Sequence, residues 1–329
     1  MYIGEQLSDF SDARLSLSAQ LGVERIAAHT AAGAAAAGTP IERADGTWDV
    51  AGIRAFQRRL AGFGLTMEVL ALNVEALWPS ILRRDPDREA RTAAIEQNIR
   101  AAGEGGVPCL KYRMQPIGIP RTGRVPGRGG AMYSHFDVRE WPEHALSPLG
   151  QVTPEQCWDA FAWFLERAVP VAEASRVRLA CHPHDPALPP EGLRGVPHVL
   201  GSVEGLQRFL ADWESPYHGL NFCQGTVAEM CRDPKTEVLE AIRIFGQRQK
   251  IFMVHFRNIR GGYLQFDEVY PDEGDVDMYQ ALKAYLAAGV DCMLCPDHVP
   301  QSAADPGGQR QFAFCLGHTR ALIQAATSV

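Results

Sequence analysis

Short apolar runs rich in β-branched residues alternate along this chain with longer stretches whose apolar positions recur every three to four residues. That is the pattern of strands alternating with amphipathic helices. It predicts strands at 25–29, 66–72, 108–113, 177–182, 220–223, 252–257, 263–266 and 293–296. Helices are predicted at 50–62, 87–102, 154–174, 203–213, 227–247 and 277–288, with a last one over 312–326. Several starts carry capping chemistry. Thr153-Pro154-Glu155-Gln156 offers a capping hydroxyl, proline at the first helical position and Gln three residues after the Thr. Ser202-Val203-Glu204-Gly205 and Asp275-Val276-Asp277 read the same way, and Gly64, Gly103 and Gly289 mark helix ends.

About eight strand-plus-helix units, with no Gly-rich dinucleotide turn after the first strand, point to an α/β fold: one (β/α)8 TIM barrel spanning 1–329. After the strand at 252–257, Ile259-Arg260-Gly261-Gly262 reads as a tight turn into a further strand, so one barrel helix is expected to be reduced or missing. Two stretches break the rhythm. Residues 31–47 are Ala/Gly-rich, and 115–149 are rich in Pro, Gly and Arg, so both are expected to be long active-site loops.

Composition narrows the class. Of 329 residues 46% are hydrophobic, enough for a sizeable core, and the net charge of −7 argues against a nucleic-acid or membrane-surface partner. The first residues, MYIGEQLSDFSDARLS, are polar and acidic without the pattern of a signal peptide, and no apolar run approaches the ~20 residues of a membrane span. A cytoplasmic protein is expected, with association into a homo-oligomer left open. The eight cysteines include a single CxxC, Cys292 and Cys295, and read as small buried hydrophobes in a reducing compartment.

Polar groups at the C-terminal ends of barrel strands converge on one mouth. Strand ends here carry His182 in LACHPHDP, Cys223 in LNFCQGT, His255 in MVHFRN and Asp297 in MLCPDH. Their intervals of 41, 32 and 42 residues fit βα units of roughly 30 to 40 residues, the last spanning an extra strand. Each alone has an ordinary structural explanation: a hydrogen-bonded core histidine, a packed cysteine, an aspartate capping a helix. Together they read as a metal site, because four buried polar groups without partners would be costly. Two imidazoles, a thiolate and a carboxylate suit a divalent transition ion, Mn2+ first, with Fe2+, Co2+, Ni2+ and Zn2+ as alternatives.

Other candidates surround this set. His298 follows Asp297 and is either a general acid or base or an orienting neighbour. His184 and Asp185 follow His182 in a Pro-bounded loop, the first a candidate for catalysis and the second for substrate contact. Arg257 and Asn258 end a strand, where an Arg fork can clamp a carboxylate. RTGRVPGRGG places Arg121, Arg124 and Arg128 among glycines, as a clamp for an anionic substrate or as a solvated loop. Glu68 and Glu268 are further acids to weigh.

At these residues the sequence resembles the mannonate dehydratase family within the xylose-isomerase-like barrel group. The resemblance lies in CHPHDP with GVPHVLGSVEGL, GLNFCQGT, VHFRN, FDEVYPDEGDVDMYQAL and PDH. It extends N-terminally to ALNVEALWPSILRRDPDREARTAAIEQNIRAAGEGGVPCLKY. It implies loss of water from a sugar acid, giving a 2-keto-3-deoxy acid, with metal ligands at His182, Cys223, His255 and Asp297 and an acid/base role at His298. The chain departs from the family in having His184 where an Asp is usual, in lacking a Tyr near 311–315, and in its Arg/Gly loop. These departures mark a divergent branch. Two other readings stand beside the lyase: a metal-dependent sugar isomerase or epimerase, and a non-catalytic barrel that binds a sugar acid.

Overall fold

In the computed structural model, which describes residues 1–29, 31–142 and 145–327, twelve strands form two sheets. In chain order they are β1 (Tyr2–Leu7), β2 (Arg25–Ala28), β3 (Thr66–Ala71), β4 (Cys109–Tyr112), β5 (Gly123–Pro126), β6 (Met132–Asp137), β7 (Arg178–Cys181), β8 (His218–Cys223), β9 (Ile251–His255), β10 (Asn258–Gly262), β11 (Gln265–Val269) and β12 (Met293–Cys295). Eight of them close a parallel barrel in the order β1-β12-β9-β8-β7-β4-β3-β2. Each barrel strand leads to an outer helix, from Asp12–Gln20 after β1 to Gln309–Thr327 after β12, the (β/α)8 arrangement. No helix among the described residues is long and apolar enough to cross a membrane.

The barrel forms where the alternation of side chains permits a dry interior and an apolar exterior. On β4, Leu110 and Tyr112 face the helix Pro154–Ser175, with Tyr112 5.7 Å from Phe164, while Cys109 turns inward. Ala27, Val69, Cys109, Ala180, Met253, Met293 and Cys295 fill the inside. Strand geometry repeats every two residues, so the next inward positions are His29, Lys111, His182, His255 and Asp297. The apolar plug ends where the chemistry begins.

Three expectations are corrected. The barrel's first strand, β1, was hidden because its YIGEQL sequence has polar residues on both faces. Glu5 is 1% exposed yet satisfied, with Arg14 Nη2 at 2.5 Å and the Ser18 hydroxyl donating at 2.7 Å. Gly4 makes room inside, since a Cβ there would lie 2.7 Å from Met293 Sδ. The strand expected at 263–266 is not in the barrel. It is β11, paired antiparallel with β10 over the residues expected to form a turn. The reversal falls at Tyr263-Leu264, with Leu264 at φ 67°. The barrel helix of that unit is displaced and not missing, following the hairpin as Met278–Ala287.

The long segment at 115–149 is only partly loop. It contributes β5 and β6, and the order β10-β11-β6-β5 makes a four-stranded sheet from two insertions far apart in the chain. Glu143 and His144 in that segment lie outside the described residues. The stretch at 31–47 holds a short helix, Ala31–Ala36. The helix expected over 227–247 is two, Gln224–Ala228 and Pro234–Gln247, with Pro234 opening the second.

Capping follows the expectation at Thr153, where both arms of the box form, and at Ser202 and Asp277. Gly64 and Gly289 are left-handed, but Gly103 lies within its helix and Gly106, φ 77°, is the left-handed residue beyond it. All eight cysteines are free and buried.

Phe161 is the hub of the packing outside β4 and β7, with ring centroids 4.9 Å from Trp78, 5.2 Å from Phe209 and 6.0 Å from His184. Phe161→Ala is expected to cost about 3–5 kcal/mol, read as a lower urea midpoint at unchanged slope.

Candidate active site

At the C-terminal mouth, β7, β8, β9 and β12 carry His182, Cys223, His255 and Asp297 to one place. One ligand-type atom from each lies within 4.8 Å of all the others. Cys223 Sγ is 3.9 Å and His255 Nδ1 3.3 Å from Asp297 Oδ2, and the two imidazole rings are 5.2 Å apart. These four strands neighbour one another in the barrel, so the set occupies one side of the mouth.

The local hydrogen bonds prepare these atoms to hold a cation. His182 Nδ1 donates to the Pro183 carbonyl at 2.7 Å, which leaves Nε2 as the lone-pair nitrogen. His255 Nε2 is 3.2 Å from the Asn221 side-chain amide, while His255 Nδ1 and Asn221 Oδ1 are both buried without a hydrogen-bond partner. Turning the Asn221 amide over satisfies both: Oδ1 accepts from Nε2–H, and Nδ1 presents its lone pair toward Cys223 and Asp297. Burial raises the Cys223 thiol, but Arg257 and then His255 bring it below its ordinary value. Burial also works against the Asp297 carboxylate, yet His298 and His255 hold it well below the usual range. His182 is pushed down to about 4, chiefly by burial, so it is a neutral donor. The residues fit a divalent transition ion.

Behind this set lies a buried charge network. Arg257, 4% exposed, places Nη2 2.9 Å from both Asp185 Oδ2 and Glu229 Oε1, with Nη1 3.6 Å from Glu268 and Nε 3.4 Å from Asp297. Arg121 reaches in from the segment before β5, 2.8 Å from Asp185 Oδ1 and 2.5 Å from Glu268 Oε1. Thr226 Oγ1 donates to Asp185 at 3.1 Å. Three acids thus face two guanidinium groups. Burial and then the Asp185 charge push Glu229 well above its ordinary value, making it the protonated member. A Cβ at Gly225 would sit 2.4 Å from Arg257 Nη1, which is why glycine follows Gln224 here.

His298 joins the two clusters. Its Nδ1 is 2.7 Å from Glu268 Oε1 and its Nε2 3.7 Å from Asp297 Oδ2. Burial disfavours the imidazolium, but Asp297 and Glu268 outweigh it and raise His298 to about 10. Both Asp297 and His298 line a cavity of about 560 Å3, walled by Met132 of β6, residues 299–303 and 305–308, and Phe312. No tyrosine lines it.

The structure does not bring every candidate to the mouth. His184 is fully buried, with Nε2 3.0 Å from the Met114 carbonyl and Nδ1 accepting from Leu200 N at 3.4 Å. It is part of the scaffold and not a group open to substrate. Asn258 is likewise spent internally, donating to the Pro271 and Val276 carbonyls at 2.9 and 2.8 Å. Arg124 is exposed on β5. Arg128 pairs with Asp272 at 2.6 Å and lies over the Tyr270 ring. Arg121 is the one arginine of the loop that enters the site, where its charge is matched by Asp185 and Glu268. Glu68 lies on β3 at the opposite end of the barrel, bonded by the Tyr2 hydroxyl at 2.9 Å. Sequence reasoning missed Glu229, Asn221, His29 and Lys111. The signal for three of them was the two-residue step that places Asn221 below Cys223 and adds His29 and Lys111 to the ligand layer.

The family model for D-mannonate dehydratase (UxuA) matches residues 142–313, a span that contains all four metal-set residues together with Glu229, Arg257, Glu268 and His298. The mannonate dehydratase of Thermotoga petrophila is 33% identical over 288 residues, covering 76% of this chain and 78% of that protein. The chain belongs to the mannonate dehydratase family. That makes it a hydro-lyase by descent, and the isomerase and binder readings give way. Mannonate dehydratase 2 of Halalkalibacterium halodurans is 25% identical over 281 residues. A crystal structure of mannonate dehydratase from Streptococcus suis serotype2 superposes with a TM-score of 0.83 over the whole chain and 95% of its own; at 23% identity it shows the shared fold.

If Asn221 orients His255, Asn221→Ala should weaken affinity for a transition ion by roughly 10- to 100-fold, measured by competition with a chelator. An unchanged affinity would show that the imidazole is held by its other neighbours.

Proposed function

We propose that this chain is a metal-dependent dehydratase that removes water from a sugar acid, mannonate or a related aldonate, and yields a 2-keto-3-deoxy sugar acid. The observation that carries this reading is the convergence of His182, Cys223, His255 and Asp297, whose donor atoms lie within 4.8 Å of one another in a chain of the dehydratase family. These four would hold the ion. Mn2+ is favoured, since an ion of coordination number five or six keeps room for substrate beside four protein donors, and Fe2+, Co2+, Ni2+ or Zn2+ also suit the donors. When bound, the ion supplies a Lewis acid that makes the proton on C2 of the aldonate more acidic.

The chain's own groups do the rest. His298, with Nδ1 tied to Glu268 and its ring protonated at rest, gives its proton to the departing C3 hydroxyl and, once neutral, takes up the C2 proton. The C2–H and C3–O bonds break, water leaves, and the resulting enol becomes the ketone. Arg121 and Arg257 fix the carboxylates of Asp185 and Glu268, so that Glu268 holds His298 in one orientation. The sheet β10-β11-β6-β5 delivers the buried Glu268 to the mouth and sets Met132 against the cavity.

Purified protein should hold about one transition ion per chain, and Cys223→Ala should lose most of it; equal metal content in that variant ends the ligand assignment. Offered a panel of hexonates, the metal-loaded protein should form 2-keto-3-deoxy acid, and isomerised sugar without that product would sink the reading. His298→Asn should keep the ion while kcat falls about 10^2- to 10^4-fold, and a near-normal rate would reduce His298 to scaffold.

A further inference from the structure

The side of the mouth opposite the metal set contains a buried cation that no acid matches. Lys111 is 7% exposed on β4, one inward step beyond Cys109. Its Nζ meets Gln6 Oε1 of β1, a neutral amide reaching across the interior, since β1 and β4 are separated in the barrel by β2 and β3. Among the described residues its Nζ makes no ion pair. The neighbouring Arg113 differs, being paired with Glu75 at 2.5 Å. His29 at the end of β2 adds no charge: desolvation, then Lys111 and His255, hold it down to about 4. Burial likewise lowers Lys111 to about 8, although Asp297 opposes the shift.

A buried ammonium without a carboxylate is costly, and at this position an apolar side chain of similar volume would serve the fold better. The charge of the mouth gives the reason for keeping it. A divalent ion held by the Cys223 thiolate, the Asp297 carboxylate and two neutral imidazoles has no net charge left for an anionic substrate. Arg121, Arg257 and His298 are cations too, but each lies against an acid, Asp185 or Glu268. Lys111 is thus the positive group of the mouth that no acid contacts.

We propose that Lys111 is the catalytic residue that receives the substrate's carboxylate: its ammonium, placed by Gln6 across the barrel from the metal set, pairs with the acid end of the aldonate and with the negative charge that grows there as the C2 proton leaves. This rests on the reading of the substrate as an aldonate. It gives the site its preference for sugar acids over neutral sugars, and it places part of the transition-state stabilisation on the chain itself.

The test uses Mn2+-loaded protein carrying His298→Asn, so that binding is read without turnover, with D-mannonate and its uncharged analogue D-mannitol as probes in calorimetry. The parent should prefer mannonate, and Lys111→Met should cut mannonate affinity roughly 10- to 100-fold while mannitol affinity and metal content stay level. Lys111→Arg should recover part of the preference. Because the Met variant removes an unmatched buried charge, its Tm should be no lower than the parent's. An unchanged mannonate-to-mannitol ratio in Lys111→Met overturns the proposal, as does a parent without the preference. If the Met variant does not fold, the same ratio measured in Lys111→Gln decides. Failure of the dehydratase reading shows separately, as no keto-deoxy acid from any hexonate in protein with His298 intact.

Discussion

A buried guanidinium has to be surrounded by carboxylates, and in this barrel that requirement, centred on Arg257, ties together parts of the chain that otherwise share nothing. Arg257 follows β9 and reaches Asp297 beyond β12, Asp185 beyond β7, Glu229 on the helical turn after β8 and Glu268 on the outer sheet. Removing Asp185 or Glu268 leaves a charge buried and unmatched, a larger penalty than a surface pair could impose. The four converging donors, His298 and the outer sheet are thus held in one register by a single electrostatic condition.

That condition also explains how two insertions become one sheet beside the mouth. Isolated hairpins are marginal in water. Here β5–β6 and β10–β11 join into one sheet through Phe136 and Phe266, whose rings are 5.6 Å apart, and Arg121 lies over Phe266 on its way to Asp185 and Glu268. At the outer side, Arg128 closes on Asp272 and stacks over Tyr270. The sheet is anchored at the site by buried charge and at its rim by an exposed pair.

The two sides of the mouth have different chemistry because β-strand geometry gives each strand one inward residue per layer. β7, β8, β9 and β12 supply soft and anionic donors, whereas β2 and β4 supply an imidazole held neutral and an ammonium. An anionic sugar acid spanning the mouth would face the four donors on one side and the Lys111 ammonium on the other. Its polarity is built into the order of the strands.

Much of this was written in the chain itself. The alternation of apolar runs and amphipathic stretches fixed the barrel class, and the donor residues at the ends of four strands were identifiable because each side chain stands at the same point of its repeat. Local chemistry such as the Thr153 cap was legible for the same reason: it depends on neighbours three residues away. What was not legible depends on distant partners. β1 looked unlike a strand until Arg14 and Ser18 were seen to satisfy Glu5, and 115–149 looked like loop until β11 gave its backbone a partner. His184 and Asn258 were indistinguishable from site residues by type, and their hydrogen bonds to Met114, Pro271 and Val276 are what remove them. Sequence determines the repeat of a strand or helix because that repeat is local; whether a polar side chain is a tool or a strut is settled by which groups folding brings within hydrogen-bonding reach, and that belongs to the tertiary structure alone.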